Sequence, residues 1–167
     1  MGPERRMVEA TTLRALTPED APALARLMSA YRAAMPDGSG LPVTRGEARA
    51  LIARAGEDAG LLLLGATSEG RLCAFALAFD LPEIIAGGRA GQLDDLFVTP
   101  EARGKGLARA LIAELAGIGR TRGWSHLRWL VPRDNLRAKR LYAAIAEPAP
   151  WDSFRLDLRD QPAASSG

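Results

Sequence analysis

The sequence predicts an α/β (α+β) fold, a mixed central β-sheet flanked by helices, and three observations carry that reading. Short apolar runs with strand character interleave with amphipathic segments of helical period. The longest helical repeat follows an apolar run through a glycine-rich turn, the usual way a buried strand passes to the helix that covers it. The 167 residues, 47% hydrophobic and 25% charged, suit one hydrophobic core. A single domain over 1–160 is therefore expected. Residues 161–167, Gln-Pro-Ala-Ala-Ser-Ser-Gly, have little to bury and are expected to form a flexible tail.

Taken in order, Thr11 to Leu16 alternates modestly and stops at Thr17-Pro18-Glu19-Asp20, where an N-cap, a first-turn proline and acids announce a helix. Leu24, Leu27, Met28 and Tyr31 then share one helical face. After the turn-forming stretch Met35 to Pro42, Thr44 and Glu47 make a second capping box ahead of Ala48, Leu51, Ile52 and Ala55. Gly60 to Thr67 and Arg71 to Leu81 read as strands joined by Ser68-Glu69-Gly70, a hairpin connection. A loop from Pro82 to Gly91 leads into Gln92 to Val98, apolar on both faces near its end as a central strand is. Pro100 and Glu101 open the long helix of Leu107, Leu111, Leu115 and Ile118, with Gly117, Gly119 and Gly123 as stop signals. Leu127, Trp129 and Val131 form a strand ended by Pro132. Asp134 or Asn135 caps a short helix with an inward stripe of Ala138, Leu141, Tyr142 and Ile145. Phe154, Leu156 and Leu158 alternate as a last strand.

Composition removes several functions. With 22 Lys and Arg against 20 Asp and Glu the net charge is only +2, which argues against a nucleic-acid partner. One cysteine, Cys73, and one histidine, His126, cannot build a Cys/His zinc site or a disulfide within the chain, so no metal is expected. The longest apolar run, Leu61 to Leu64, is too short for a membrane span. The first twelve residues lack a secretory apolar stretch, and Arg6 breaks the myristoylation pattern after Gly2. A cytoplasmic location is the expectation.

The chemistry concentrates between Leu93 and Leu111. There a strand runs through Arg103-Gly104-Lys105-Gly106-Leu107-Ala108-Arg109 into the long helix. A helix amino terminus offers unpaired N–H groups and a positive dipole end, and small residues let an anion approach them. Gly104, Gly106 and Ala108 supply space while Arg103, Lys105 and Arg109 add charge, so a pyrophosphate is the natural guest. The plainer alternative is a tight turn followed by a solvated basic face. A Walker loop fails because Gly106, not Ser or Thr, follows Lys105. A Rossmann fingerprint fails at Arg109 and lacks the later acid. The pattern Arg-x-x-Gly-x-Ala over Arg103 to Ala108 matches throughout.

These residues resemble the GNAT superfamily of N-acetyltransferases, in which that signature holds the pyrophosphate of acetyl-CoA. Asn135-x-x-Ala138-x-x-Leu141-Tyr142 is similar to a second motif of the family, and the element order agrees over roughly residues 11–158. The resemblance implies a GNAT-like mixed sheet and acetyl-CoA as co-substrate. It also implies backbone groups of Leu96, Phe97 and Val98 along the pantetheine arm. Tyr142 becomes the general acid for the departing thiolate, and Asn135 a hydrogen-bonding partner of the CoA arm. By the residues alone, Tyr142 reads as core and Asn135 as an N-cap.

The base is open between Asp94 and Asp95, since Gln92, at a position where many members carry Glu, cannot take a proton. The acidic pair resembles that of spermidine and spermine acetyltransferases. His126 reads as structural and Cys73 as a small buried hydrophobe. Ala146-Glu147-Pro148-Ala149-Pro150 departs from the family's usual glycine after the tyrosine helix. The expected activity is direct acetyl transfer to a primary amine of a small molecule or peptide. The expected acceptor is a small cationic amine entering between the Met35 to Pro42 turn, the Pro82 to Gly91 loop and the Asp94-Asp95 strand. The rivals are a non-catalytic CoA or acyl-CoA sensor and a nucleotide-phosphate module. A homodimer is left open.

Overall fold

The computed structural model describes residues 11–158, so both the extreme amino end and the expected tail at 161–167 lie outside it. Chain packing divides into two compact units, one ending at Pro132 and the other beginning at Arg133.

The first unit contains strand β1 (Thr11–Ala15), helices α1 (Ala21–Ala34) and α2 (Arg45–Glu57), and strands β2 (Leu61–Ser68), β3 (Arg71–Pro82) and β4 (Arg89–Val98). Helix α3 (Leu107–Arg122) and strand β5 (Trp124–Trp129) complete it. The sheet order is β1-β2-β3-β4-β5. The first four strands run antiparallel, and β5 lies parallel to β4. Local chemistry sets the boundaries. The Asp20 carboxylate accepts from the Thr17 N–H at 2.8 Å and from Arg14 at 2.6 Å, closing a single 3₁₀ turn over Pro18–Asp20 before α1 begins. The capping box at α2 is formed: Glu47 N–H donates to the Thr44 hydroxyl at 3.2 Å, and Thr44 N–H donates to the Glu47 carboxylate at 2.7 Å. In the β2–β3 connection Glu69 and Gly70 both take positive φ, 51° and 75°, the two-residue turn that matches strand twist.

Two layers of packing cover the sheet. Leu24, Leu27, Ala48 and Ile52 of α1 and α2 cluster with Leu63, Phe75 and Phe97 on one face. By the strand period of two, buried Ala74, Ala76 and Ala78 face the other way, where α3 packs through Leu107, Leu111 and Leu115. Each of those leucines contributes about 1.5–3 kcal/mol by leaving water. The alanines let the helix approach closely.

Two expectations need correction. Helix α3 runs through Gly117 and Gly119 and stops only at Gly123, whose φ of 73° makes the left-handed cap. Of the three glycines only the last has the conformation that ends a helix. Gly119 is small for another reason: a Cβ there would stand 2.4 Å from the Trp124 ring, and one on Gly91 would stand 2.2 Å from it. The indole lies in a slot that β4 and α3 leave open by having no side chains.

The second unit contains helix α4 (Leu136–Ala143), capped by the Asn135 side chain, which accepts from Ala138 N–H at 3.1 Å. The expected strand at Phe154, Leu156 and Leu158 is absent; 151–158 are irregular, and Phe154 is 93% exposed. Apolar alternation suits a strand, but a strand exists only through a backbone ladder, and this segment forms none.

The Trp124 slot separates two neighbouring glycines of one helix. Gly117→Ala, with open space around its Cβ, is expected to stabilise the fold by roughly 0.5–1 kcal/mol through helix propensity. Gly119→Ala is expected to destabilise it by about 1–3 kcal/mol through overpacking. Urea melts of the two variants beside the parent read the opposite signs.

Candidate active site

β4 carries one residue too many for its neighbour. Its pairing with β3 steps from Leu93↔Ala78 to Asp95↔Leu77, leaving Asp94 as the surplus residue of a β-bulge. On the other side, β5 pairs with β4 from Arg89 to Leu93, while β4 continues to Val98 against β3 alone. The last five residues of β4, Asp94 to Val98, therefore present one backbone edge outside the β5 ladder. Phe97 points its ring into the core, so only its main chain is available at that edge. Leu96 and Val98 are half-buried.

The bulge gives the two neighbouring acids different surroundings. Asp94 is exposed. Asp95 lines a cavity of about 310 Å³ together with Met28, Tyr31, Met35, Phe75 and Leu77. Burial pushes the Asp95 carboxyl above the usual aspartate range; a hydrogen bond from the Tyr31 hydroxyl pulls it partway back, and the Asp94 charge pushes it up again. Tyr31 packs edge-on against Phe75, ring centroids 5.9 Å apart at 84°, and tilts against Phe97 at 5.8 Å. Arg32 and Asp37 also border the cavity, and Arg32 donates to the Leu41 carbonyl at 3.0 Å. The Met35 to Pro42 turn thus lines this space, whereas the Pro82 to Gly91 loop contributes none of its lining residues.

Beyond Val98 the chain makes a 3₁₀ turn at Pro100–Ala102 and enters the basic segment. Arg103 donates to the Val98 carbonyl at 3.2 Å and ties the turn to the strand end. Gly104 and Gly106 have φ of 80° and 79°, and no heavy atom lies within 4 Å of where their Cβ atoms would be. Gly106 is the N-cap of α3, and no side chain bonds the helix end. A left-handed glycine pair before an uncapped helix leaves room for an anion against the first-turn N–H groups. Arg103, Gly104, Lys105, Gly106 and Arg109 are exposed, and Ala108 is half-buried. Leu107 is buried in the core and could offer a ligand only its backbone.

In the second unit, Asn135 has the N-cap role, and burial raises the Tyr142 phenol above its ordinary value. His126 bonds Ser125 across 2.9 Å on an exposed stretch. Cys73 is half-buried rather than core, because it is the surplus residue of a second bulge, between Leu72 and Ala74. Gln92 accepts from Arg128 at 3.0 Å. Sequence reasoning missed Tyr31 as a site residue, since its place in the α1 apolar stripe made it look like core. The available signal was its hydroxyl, the one polar atom in that stripe. Among the described residues no cluster of three metal-ligating side chains occurs, and no helix is long and apolar enough to cross a membrane.

A mixed sheet whose β4–β5 ladder stops at Leu93, a glycine turn before a helix with no side-chain cap, and a carboxylate in a cavity lie along one strand-to-helix path, and comparison supplies the class of protein. The model of the acetyltransferase (GNAT) family matches residues 24–146, and the chain belongs to that family. The solved ribosomal-protein-alanine N-acetyltransferase from Brucella melitensis biovar Abortus 2308 is 34% identical with a TM-score of 0.74, over 89% of this chain and 99% of that one. An aminoglycoside N-acetyltransferase in complex with CoA has the same fold, with a TM-score of 0.75, 16% identity, and coverage of 92% of this chain and 98% of that one. Among curated relatives, a thialysine N-epsilon-acetyltransferase of Bos taurus is 36% identical over 75 residues, 42% of this chain and 44% of that protein. A glucosamine 6-phosphate N-acetyltransferase of Trypanosoma brucei brucei is 42% identical over 55 residues, 32% of this chain and 37% of that protein. The matches span less than half the length of these curated relatives.

Burial of Asp95 makes a stability prediction with a definite sign. Its folded pKa lies above the unfolded one, so the ionised side chain burdens the fold above the unfolded carboxyl pKa, near about 4, and not below it. Asp95→Asn keeps an acceptor for Tyr31 and is expected to raise the melting temperature at pH 7. The gain should fade as pH falls through the raised folded pKa and toward 4, which paired melts at several pH values measure.

Proposed function

We propose that the protein transfers an acetyl group from acetyl-CoA to a primary amine of a small molecule or peptide by direct attack. The observation that carries this reading is the placement of Asp95 in an apolar cavity on the strand whose end runs into the glycine turn of α3. Family membership supports the co-substrate, and the names of the curated relatives, thialysine and glucosamine 6-phosphate N-acetyltransferases, support an amine acceptor. The expected cytoplasmic location belongs to the same proposal.

Each residue then has a task. The N–H groups of Gly104 to Arg109, with the Arg103, Lys105 and Arg109 charges, hold the pyrophosphate. The open edge at Leu96 to Val98 offers backbone groups to the pantetheine arm, and Asn135 serves the same arm. When bound, acetyl-CoA supplies an activated thioester. Asp95, rather than exposed Asp94, takes a proton from the ammonium group, since an amine attacks only when neutral and a carboxyl raised by burial is a better base. The amine nitrogen forms its bond to the acetyl carbon as the carbon–sulfur bond breaks. Tyr142, whose raised pKa keeps it protonated at neutral pH, donates a proton to the departing sulfur. The attacking nitrogen then gives up a second proton, which restores the Tyr142 phenol; of the two protons the ammonium loses, one ends on the thiol and the other is released through Asp95.

CoA binding is expected to stabilise the chain. At a concentration about 100 times its dissociation constant it adds roughly 2.7 kcal/mol, a melting shift of roughly 5 to 10 °C for a protein of this size. Melts with CoA, ATP and NAD side by side test it, with the CoA shift alone expected and Gly106→Asp expected to abolish it. Equal shifts with all three would point to a general nucleotide-phosphate site and end the proposal.

Tyr142→Phe is expected to keep the CoA shift while slowing thiol release by about a hundredfold or more. Unchanged turnover would remove the acid role. A CoA sensor would give the melting shift with no transfer in either protein.

A further inference from the structure

We infer that Tyr31 and Asp95 form the recognition pair for the amino end of an alkylamine, with the apolar cavity walls taking its methylene chain. This rests on the acetyl-transfer reading and narrows its acceptor. The apolar part of the cavity lining is Met28, Met35, Val43, Leu51, Phe75 and Leu77. None of these side chains hydrogen-bonds a hydroxyl, so a sugar placed among them would lose water from its hydroxyl groups without replacement, whereas methylenes lose nothing. Two carboxylates, Asp95 and Asp37, border the space against one guanidinium, Arg32, which donates to the Leu41 carbonyl. That balance suits a cation over a phosphorylated acceptor.

Tyr31 is the less obvious half of the pair. A phenylalanine would pack equally well against Phe75 and Phe97, so the aromatic cluster does not need the hydroxyl. What the hydroxyl adds is a donor to Asp95. With its ring held by two neighbours, Tyr31 fixes the carboxylate's orientation and leaves its remaining lone pairs for an ammonium group. The proton that the ammonium gives up goes to Asp95, and the Tyr31 bond favours the charged carboxylate before transfer. Tyr31 is a positioning residue in this scheme. The charged and titratable groups around Asp95 are Asp94 on β4, Tyr31 and Arg32 on α1, and Asp37 beyond it; Phe75 and Leu77 of β3 and Leu51 of α2 carry no charge.

The test is titration of the full-length chain, loaded with CoA, with hexylamine and with glucosamine at a pH where both are cations. Hexylamine should bind at least about tenfold tighter, because its chain buries several methylenes. Tyr31→Phe should weaken hexylamine roughly tenfold, the usual scale for one hydrogen bond to a charged group. In turnover assays it should move the acid limb of kcat/KM to higher pH, because ionised Asp95 has lost a donor; a packing role alone would not move that limb. Asp95→Asn, which keeps the Tyr31 acceptor, should remove most hexylamine binding and guards against misfolding of the first variant. Equal affinity for the two amines, or Tyr31→Phe that leaves both affinity and pH limb at parent values, overturns the inference. Tight hexylamine binding without acetylated product sinks the transfer reading and leaves the pair standing. Acetylation that favours glucosamine does the reverse.

Discussion

One surplus residue in β4 organises the site. Without a bulge at Asp94, Leu93 and Asp95 would lie two apart on the same face of the strand. With it, Leu93 sits opposite Ala78, on the α3 side, and Asp95 sits opposite Leu77, on the α1 side. The change of face sends a carboxylate into the cavity under Tyr31 and leaves Leu93 in the core. The parallel ladder to β5 ends at the same place, Leu93, so β4 continues to Val98 with an edge outside that pairing. Arg103 then holds the strand end to the glycine turn through the Val98 carbonyl. A bulge concentrates twist and ends pairing, and here it gives one strand a half-buried acid, a backbone edge outside the β5 ladder and a route into an uncapped helix.

Much of this was legible in the sequence because its cues are local. The capping box at Thr44 and Glu47 is a spacing of three residues with a fixed hydrogen-bond consequence, and the structure forms it. The positive φ of Gly104 and Gly106 likewise belongs to glycine itself. The bulge is different: alternation said that only one of Asp94 and Asp95 faces a given cleft, but which one depends on the register with β3, and register is a property of two strands. Tyr31 was hidden by its company. Its ring satisfies the apolar period of α1, and only the position of Asp95, 64 residues later, makes its hydroxyl matter.

Gly119 and the missing last strand share one cause. Glycine is a poor helix former, so Gly117 and Gly119 read as helix ends in the sequence, yet Gly119 is required by the Trp124 ring and, of the three, only Gly123 has left-handed φ. Phe154, Leu156 and Leu158 have the period of a strand and remain exposed and irregular. At Gly119 and at the last segment the outcome lies in tertiary structure, an indole in one case and an unformed ladder in the other, whereas Gly117, with open space around it, is simply carried within the helix.

Two carboxylates of the first unit that burial works against, Asp80 and the half-buried Asp95, separate structure from chemistry. Asp80 is only 6% exposed, and burial works against its charge, but Arg89 at 2.6 Å and Arg122 at 3.1 Å hold it below its ordinary value. It stays charged, anchors β3 to β4 and α3, and has no reason to exchange protons near neutral pH. Asp95 has a phenol as its donor and an acidic neighbour, so burial prevails and its pKa rises. A fold built for stability alone would have given Asp95 a guanidinium, or replaced it with an apolar residue matching Leu77 across the ladder. A carboxylate kept in an apolar cavity, balanced by one hydroxyl instead of a fixed cation, is one that a ligand's cation can complete and from which a proton can be gained or lost. Asp80 belongs to the architecture of the first unit, and Asp95 is the carboxylate on which the proposed chemistry falls.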